Sequence, residues 1–255
     1  MNRIPHGLFP MGSDSLVPYA TDGLVAWYDA IWNAGVGVRV DSATVWKDLA
    51  GTRDATLRRG ANGWGADALR TRSLTGGTAA TLPAATMDGF AFASVGAFEI
   101  VFRIDAAQNS NGETLAFVGG QSRTAFSFVS GGTAGEILIF STPSTRIAAV
   151  PGNGNPADIC TLGVRHALSV NLGEEENVAG WSFRHNGTEL GLYNRGGTLT
   201  VQTNGVGSVF GRTTSASSPD NAVGEICCLR LYSRVLTDDE RKRNYASDKQ
   251  RYDLP

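Results

Sequence analysis

Acidic side chains are the first candidates for chemistry, because hydrolysis of a glycosidic bond needs two carboxyl groups roughly 5–10 Å apart across a cleft. The densest acidic stretch, GEEEN at residues 173–177, stands between the apolar runs HALSVNL and WSF, which is a loop position. Consecutive glutamates in a loop diverge and repel one another, so this stretch indicates a solvated loop. No strand-like run of the sequence carries acids at alternate positions. The sequence therefore predicts that the protein is not an enzyme.

Histidine is the next candidate for catalysis or metal binding. The three histidines are His6, His166 and His185, and they are far apart in the sequence. A lone histidine supplies neither a metal site nor a nucleophile with its base. We therefore predict structural roles for His166, at the start of a strand, and for His185, beside a turn.

The three cysteines are Cys160 and the adjacent pair Cys227 and Cys228. An odd count without the spacing of metal ligands argues against a disulfide framework. Neighbouring residues on a strand point to opposite faces, and free cysteine is among the most buried residue types. We expect small buried side chains here, with a single bridge from Cys160 left open.

Tryptophan rings beside polar residues are candidates for sugar binding, because an exposed aromatic ring offers a flat apolar face. Trp32, Trp64 and Trp181 have small or polar neighbours and are the candidate ligand-binding residues, whereas Trp27 and Trp46 stand in strand-like runs that favour the core. Trp64, within GANGWGAD, has the most loop-like surroundings. Anchoring of that glycine-rich loop is the alternative role for Trp64.

Charge and hydropathy exclude several kinds of partner. The chain has 22 Lys and Arg against 24 Asp and Glu, a net charge of −2, which is too small to attract nucleic acid or an acidic membrane surface. No apolar stretch approaches the roughly 20 residues that a membrane-spanning helix needs. Prolines, Gly12 and Asp14 interrupt the N-terminal segment where a signal peptide would be continuously apolar. We expect no nucleic-acid partner, no membrane insertion and no conventional signal peptide, unless one has been removed.

The elements that must position these residues are strands. From Gly23 onward, short apolar runs are bounded by turn-forming residues, and the 32 glycines follow no repeat. Runs such as FEIVFRI (98–104) and TAFSFVS (124–130) alternate between two faces. No shift in composition marks a second domain. The pattern predicts one all-β domain over residues 23–255, an antiparallel β-sandwich of the jelly-roll kind with a short C-terminal helix.

The composition of residues 1–22 predicts an extended N-terminal arm, because three prolines interrupt regular structure there. The arm carries more apolar side chains than a passive linker needs: Ile4, Leu8, Phe9, Leu16, Val17 and Tyr19. We expect the arm to dock on its own domain or on a neighbouring subunit, with homo-oligomer formation left open.

The closing stretch EICCLRLYSRVLTDDERKRNYASDKQRYDL (225–254) changes from an apolar run to a charged one. Alternation predicts a strand whose faces carry Ile226, Cys228 and Arg230 on one side and Cys227, Leu229 and Leu231 on the other.

A helix is predicted after this strand. Thr237 is a natural N-cap, and Glu240 completes a capping box. Two charge pairs of favourable order follow, Asp238 with Lys242 and Asp239 with Arg243. The charges therefore indicate helix-start signals and a solvated face, with Tyr245 as the one large apolar anchor on the sandwich.

Three blocks of sequence together resemble a known superfamily. They are GLVAWYDA with VWKDLAGTRDATL (23–30, 45–57), RHALSVNL with WSFRHNGTELG (165–172, 181–191), and GEICCLRLYSRVLTDDERKRNY (224–245). They resemble the laminin-G-like, concanavalin A-like jelly-roll superfamily, particularly its bacterial and phage members, over roughly residues 23–252. The resemblance implies the sandwich fold, and it implies calcium at the rim in many members. Asp48 and Asp54 flank a turn that could supply such a calcium site, although turn capping explains the same residues. The acid spacing E-x-D-x-x-E of the related laminarinase-type enzymes does not occur.

This fold occurs in enzymes, lectins and scaffold proteins, so the fold alone does not indicate the function. The leading expectation is a non-catalytic module of a phage or phage-like particle, a decoration, capsid- or tail-associated structural protein that other virion proteins hold through its arm. Adhesion to a cell-surface glycan is left open. Its location would be the virion or the extracellular space. The alternative is a secreted bacterial carbohydrate-binding module, followed by a glycoside hydrolase. No cofactor is expected, apart from the calcium left open above.

Overall fold

The structure is a computed structural model, and it describes residues 18–57, 62–71, 80–83, 96–106, 113–118, 124–130, 134–142, 145–150, 160–172, 181–194, 207–209 and 223–255. In chain order the elements are β1 (Leu24–Asp29), β2 (Val45–Trp46), β3 (Ala55–Leu57), β4 (Asn62–Trp64), β5 (Leu69–Thr71), β6 (Ala80–Leu82), β7 (Gly96–Ala106), β8 (Glu113–Val118), β9 (Thr124–Ser130), β10 (Ala134–Thr142), β11 (Thr145–Val150), β12 (Cys160–Thr161), β13 (Arg165–Leu172), β14 (Ser182–His185), β15 (Thr188–Asn194), β16 (Gly207–Val209), β17 (Val223–Tyr232) and helix α1 (Asp238–Tyr252).

The first sheet is built around β17. This strand pairs with β7 along its length, and its other edge pairs with β5 and then with β1. β7 continues the sheet to β13, β14 and β15, while β4 extends it beyond β5. The first and last strands of the sandwich are therefore hydrogen-bonded neighbours.

The second sheet runs from β2 through β3, β6, β16, β8, β9 and β10 to β11. β15 pairs with β14 in the first sheet and with β11 in the second, so it joins the two sheets. All of these pairings are antiparallel. The predicted all-β sandwich with a short C-terminal helix is confirmed.

The main core lies between the two sheets. Its side chains come from alternate positions of the strands, as in β7, where Phe98, Ile100 and Phe102 are buried there. Burying an aliphatic or aromatic side chain of this kind stabilises the fold by roughly 1.5–3 kcal/mol. Trp46 belongs to the same core, as its strand-like surroundings predict.

A bulge in β17 changes the predicted faces of that strand. Ile226 pairs with Phe102 and Cys228 pairs with Val101, so one extra residue is accommodated between them. Ile226 therefore joins the core between the sheets, while Cys227 and Cys228 share one cluster with Tyr252. The prediction that Ile226 shares a face with Cys228 is wrong, because alternation does not persist through a bulge. Both thiols are free and buried, and the side chain of Cys160 lies outside the described part.

Asn186 and Gly187, a residue pair that is a strong hairpin signal in a sequence, form the turn between β14 and β15. Its residues have positive φ angles of 47° and 76°, which the Asn-Gly pair adopts readily. A Cβ atom on Gly187 would lie 2.6 Å from Cδ1 of Tyr245. Glycine is thus required both for the turn and for the close approach of helix α1.

Helix α1 begins as predicted. Thr237 is its N-cap, and the reciprocal hydrogen bonds of a capping box link Thr237 with Glu240. Arg234 binds the carboxylate of Glu240 as well, at 2.6 Å and 2.9 Å. Of the residues described, Tyr252 is the one large apolar side chain that the helix buries fully, whereas Tyr245 is only partly buried.

The prediction of a solvated charged face on α1 is wrong for two of its charges. Arg241 and Asp248 are 2% and 3% exposed, and they face the first sheet. Asp238 forms an ion pair with Arg184 at 3.0 Å. The predicted pairs Asp238–Lys242 and Asp239–Arg243 are not among the ion pairs of the described side chains. For Asp238, the nearby sheet offers Arg184 as a buried partner instead.

Residues 18–22 are the described part of the predicted N-terminal arm. Tyr19 and Ala20 are buried, and Asp22 pairs with Arg234 at 2.8 Å. Residues 1–17 lie outside the described part, so the division into an arm of residues 1–22 and a domain of 23–255 stays a prediction.

The capping box makes the stability of the helix dependent on pH. The side-chain hydrogen bonds from Arg234 hold the pKa of Glu240 at about 2, below its ordinary value of 4.5. A carboxyl group with a lowered pKa in the folded state stabilises that state above its unfolded pKa, and the contribution disappears as pH falls through the window between those values. We expect Thr237→Ala to lower the free energy of unfolding by about 1 kcal/mol, and Glu240→Gln to remove this pH dependence.

Urea unfolding followed by circular dichroism between pH 2 and 7 measures both effects. Asp239→Asn is the matched control, because Asp239 is an exposed acid of the same helical turn. Identical pH profiles for the wild type and Glu240→Gln would contradict the assignment.

Candidate functional site

The three candidate tryptophans lie in packed surroundings. Trp32 is 8% exposed, and the guanidinium of Arg251 stacks 4.6 Å from its ring centroid. Trp181 is 5% exposed and stacks on Phe183. Trp64 is half-buried, contacts Trp46 edge to face, and donates its indole N–H to the carbonyl of Ala43 at 3.0 Å. Packing explains all three rings, and their binding of a ligand stays a prediction.

Asp48 and Asp54 cap the turn between β2 and β3. The carboxylate of Asp48 accepts backbone N–H groups from Ala50, Arg53 and Trp27, at 2.9 Å, 3.1 Å and 3.0 Å. Asp54 accepts the N–H of Asp48 and pairs with Lys47. The bond from Trp27 also satisfies a backbone N–H at the edge of β1, which would otherwise be an unpaired donor.

Metal ligands do not cluster at this turn. Across the described residues, no group of three or more His, Cys, Asp or Glu side chains is arranged to hold a metal ion. Calcium binding by Asp48 and Asp54 stays a prediction.

The densest polar cluster of the described chain lies between the first sheet and helix α1. Arg230 of β17 is fully buried, and it donates to Glu99 of β7 at 3.0 Å and to Asp248 of α1 at 2.9 Å. Burial opposes its charge, but these two carboxylates hold the pKa of Arg230 above its ordinary value. Burial also raises the pKa of Glu99, against the opposing effect of Arg230.

Residues from both ends of the chain complete this cluster. Asn244 donates to Glu99 at 2.8 Å and accepts the backbone N–H of Ala20 at 2.8 Å. The hydroxyl of Tyr19 donates to Asp248 at 2.8 Å, and its ring lies 4.2 Å from the guanidinium carbon of Arg230. The cluster therefore ties the N-terminal segment, the sheet and the C-terminal helix together.

Arg241 extends the polar interface toward the edge of the sheet. It donates to the hydroxyls of Ser169 and Ser182 at 3.0 Å and 2.8 Å, and Ser169 donates in turn to Glu99 at 3.0 Å. Burial, with the neighbouring charge of Arg184, lowers the pKa of Arg241 to about 10. A narrow cleft beside these groups is lined by Ser169, Arg184, Arg241 and Tyr245, among others.

A row of arginines surrounds a second buried carboxylate on the same sheet. Glu225 is 1% exposed and pairs with Arg70 at 3.0 Å, Arg103 at 3.1 Å and Arg165 at 3.1 Å. Arg165 also binds Asp67 through both terminal nitrogens, at 2.6 Å and 2.8 Å. These bonds join β5, β17, β7 and β13 and leave Arg70 about half exposed.

Two histidines that are distant in sequence meet on the inner side of β13 and β14. A ring nitrogen of His185, Nε2, lies 2.9 Å from Nδ1 of His166, and Nε2 of His166 lies 3.0 Å from the carbonyl oxygen of Thr161. Burial lowers the pKa of both rings, and the proximity of His166 helps to bring that of His185 to about 4. The spacing of His166 and His185 in the sequence did not predict that their rings would be in contact.

A signal for the main buried cluster is present in the sequence. Glu99 and Arg230 each interrupt an otherwise apolar strand, within FEIVF and CCLRLY. Charged residues are almost never fully buried unless they are paired, so two such interruptions with opposite charges indicate a buried pair. No comparable signal in the sequence indicates that Asp248 is buried, because acidic residues are common on exposed helices.

Comparison with known proteins shows the fold. No family model matches the chain, and no curated protein matches its sequence. Among solved structures, the sialidase of Trypanosoma rangeli in complex with sialic acid is similar with a TM-score of 0.59 and 14% identity, over 95% of this chain and 35% of that one. The chain thus spans about a third of the sialidase.

Two further structures match over more of their own length. Domain 4 of AbnA, an extracellular arabinanase of Geobacillus stearothermophilus in complex with arabinotriose, has a TM-score of 0.56 and 15% identity, over 87% of this chain and 98% of the domain. The binding domain of botulinum neurotoxin DC, in complex with rat synaptotagmin II, has a TM-score of 0.53 and 10% identity, over 89% and 52%. These likenesses place the chain among β-sandwich folds, some of them from carbohydrate-related proteins.

The prediction that the protein is not an enzyme is contradicted by this comparison, because several of the matching structures are sialidases. That prediction rested on the lack of alternating acids in strand-like runs of the sequence. Since this fold also occurs within glycan-cleaving proteins, the missing pattern is no ground for excluding catalysis.

Within the described residues, no helix is both long and apolar enough to span a membrane.

The ion pairs of Arg230 should dominate the stability of the interface between the sheet and α1. Removing one charge from a buried pair leaves the partner uncompensated, so we expect Asp248→Asn to lower the free energy of unfolding by about 3–5 kcal/mol. Tyr19→Phe removes one hydrogen bond to Asp248, and we expect a loss of about 1–2 kcal/mol. Guanidinium chloride unfolding measures both changes.

Asp239→Asn, on the exposed side of α1, is the control for loss of a negative charge from this helix. We expect it to change stability by less than about 0.5 kcal/mol. An Asp248→Asn variant as stable as this control would show that the buried pair does not hold the helix.

Proposed function

We propose that the protein binds carbohydrate through its β-sandwich. The likeness to domain 4 of AbnA carries the proposal, since it extends over 98% of a domain whose structure contains arabinotriose. The likeness to a sialidase in complex with sialic acid supports the same class of ligand. At these identities the comparison concerns the fold, so the sugar itself has to be found by experiment.

The outer face of the second sheet is the surface that we assign to the glycan. Helix α1 occupies the outer face of the first sheet through its buried polar contacts. On the second sheet, Thr56 is exposed and Thr81, its register partner, is half-buried, whereas their neighbours Leu57 and Ala80 point into the core. The described edge of this face thus offers hydroxyl groups, which can hydrogen-bond to a sugar.

We further propose that the protein belongs to a phage or phage-like particle, where other virion proteins hold it through the N-terminal arm. The three sequence blocks that resemble laminin-G-like, concanavalin A-like domains of bacteria and phages support this finer assignment. A secreted bacterial carbohydrate-binding protein is the alternative. Both assignments place the protein outside the cell or on the virion.

A glycan array followed by titration calorimetry tests carbohydrate binding, with arabinan oligosaccharides and sialosides as the first probes. We expect a dissociation constant between about 1 µM and 1 mM for at least one glycan, a range typical of weak specific binding. Thr56→Arg and Thr81→Arg should weaken that binding, because each places a large charged side chain on the assigned face. Release of a reducing end in the same mixtures would reveal an enzymatic activity as well.

Lys242→Glu, on the exposed side of α1, is the control for a change of surface charge away from the assigned face. Equal weakening by this control would contradict the location. Absence of binding to every glycan of the array would contradict carbohydrate binding itself.

Deletion of residues 1–17 tests attachment through the arm. The deletion retains Tyr19 and Ala20, whose hydrogen bonds to Asp248 and Asn244 belong to the domain. We expect a folded protein that binds glycan as before and is absent from purified particles. Incorporation at the wild-type level would contradict the role of the arm without affecting the proposal of glycan binding.

A further inference from the structure

Arg184 is a buried cation whose capacity for hydrogen bonds is only partly used. It lies on β14, is 6% exposed, and lines the narrow cleft between the first sheet and α1. Its Nη2 atom lies 3.0 Å from a carboxylate oxygen of Asp238 and 3.5 Å from one of Glu189. Its Nε atom is buried and has no hydrogen-bond partner among the described residues. An unsatisfied buried donor is unfavourable, so a ligand that accepts this hydrogen bond is favoured.

The two acids that pair with Arg184 are themselves in contact with solvent. The side chains of Asp238 and Glu189 are 65% and 61% exposed. An ion pair with an acid so exposed contributes little to stability, because water screens the charges and the side chain loses entropy when it is held in place. A competing anion can therefore displace either carboxylate from Arg184 at small cost.

The unused donor completes one edge of the guanidinium plane. The N–H groups of Nε and Nη2 point in the same direction, and a carboxylate can bind along this edge through both of its oxygens. Asp238 and Glu189 contact Nη2 and leave Nε without an acceptor. A carboxylate that reaches both N–H groups would make two hydrogen bonds, where each acid of the chain makes one.

The charges deeper in the interface balance without Arg184. Glu99 and Asp248 line the cleft, and both form ion pairs with Arg230. Arg241, which is 2% exposed and lines the cleft as well, supplies the second positive charge of this group. Two buried acids thus stand against two buried cations. Arg184 is an additional cation, and its acidic partners are on the surface.

The neighbouring cation makes an anion beside Arg184 more favourable. Burial, with the charge of Arg184, lowers the pKa of Arg241, so the two guanidinium groups repel each other. A negative charge between the cleft and the solvent reduces this repulsion. The cleft has room for about one water molecule, which suits the acid group of a ligand and excludes the rest of it.

We infer that the mouth of this cleft is a binding site for a carboxylate, which Nε and Nη2 of Arg184 hold through both oxygens and which Arg241 attracts. The ligand displaces the exposed carboxylate of Asp238 from Nη2. The carboxylate belongs either to a small free acid or to an acidic sugar. The site is part of the first sheet and is separate from the face of the second sheet that we assign to the glycan, so it does not depend on the proposed function.

Titration of the full chain, followed by ¹H–¹⁵N NMR of the arginine Nε–H groups, tests the site. The probes are acetate, glucuronate and glucose at constant ionic strength. We expect acetate or glucuronate to shift the Nε–H resonance of Arg184, because this group gains an acceptor, and glucose to leave it in place. Equal affinities for the two acids would identify a site for a free acid, whereas tighter binding of glucuronate would identify a site for an acidic sugar.

Arg184→Lys is the matched variant, because lysine keeps the positive charge but lacks the planar pair of N–H groups. We expect its affinity for the acid to fall roughly tenfold, as for the loss of one hydrogen bond between charged groups. Asp238→Asn should raise the affinity roughly two- to fivefold, because it removes the competing carboxylate. Arg243→Lys, on the exposed side of α1, is the control and should change nothing.

Equal affinities of the wild type and Arg184→Lys would overturn the inference, as would an Nε–H resonance of Arg184 that neither acid shifts. Asp238→Asn changes only an exposed side chain, so it decides the question even if Arg184→Lys does not fold. An affinity of Asp238→Asn at or below that of the wild type would show that no ligand competes with Asp238 for Arg184.

Discussion

Arg230 is a buried cation in the middle of the first sheet, and the packing of helix α1 depends on its neutralisation. Glu99 supplies one carboxylate from the adjacent strand, and Asp248 supplies the other from the helix. Taking a guanidinium out of water costs several kcal/mol unless its partners are well placed. The helix therefore cannot leave the sheet without exposing or unpairing this charge, which makes the sheet and the helix one unit.

This interface differs from ordinary helix packing because its contacts are mainly polar. The residues that α1 buries are Arg241, Asn244, Ser247, Asp248 and Tyr252. Apolar packing tolerates small shifts of a helix, whereas hydrogen bonds to Glu99 and Arg230 are directional and fix one position. Tyr19 and Ala20 bind the same helix, so the point where the N-terminal segment meets the domain is fixed by the same bonds.

Local features of this fold were predictable from the sequence, and distant partnerships were not. The Asn186-Gly187 turn and the capping box involve residues within three positions of each other, where sequence alone determines the geometry. By contrast, Arg230 and Glu99 are 131 positions apart. Each interrupts an apolar strand, which signals a buried and paired charge, but the identity of the partner depends on which strands become neighbours. The two histidines were missed for the same reason, and the bulge in β17 was missed because it interrupts the alternation on which the prediction relied.

The same distinction limits what acidic residues reveal about function. A search for alternating acids along single strands does not consider Glu99 and Asp248, which come from a strand and a helix and converge on Arg230. Their carboxylates are occupied by Arg230, Asn244 and Tyr19, and the helix separates them from solvent. Carboxylates engaged in this way hold the fold together. The glycan binding that we propose is therefore assigned to other groups, on the second sheet.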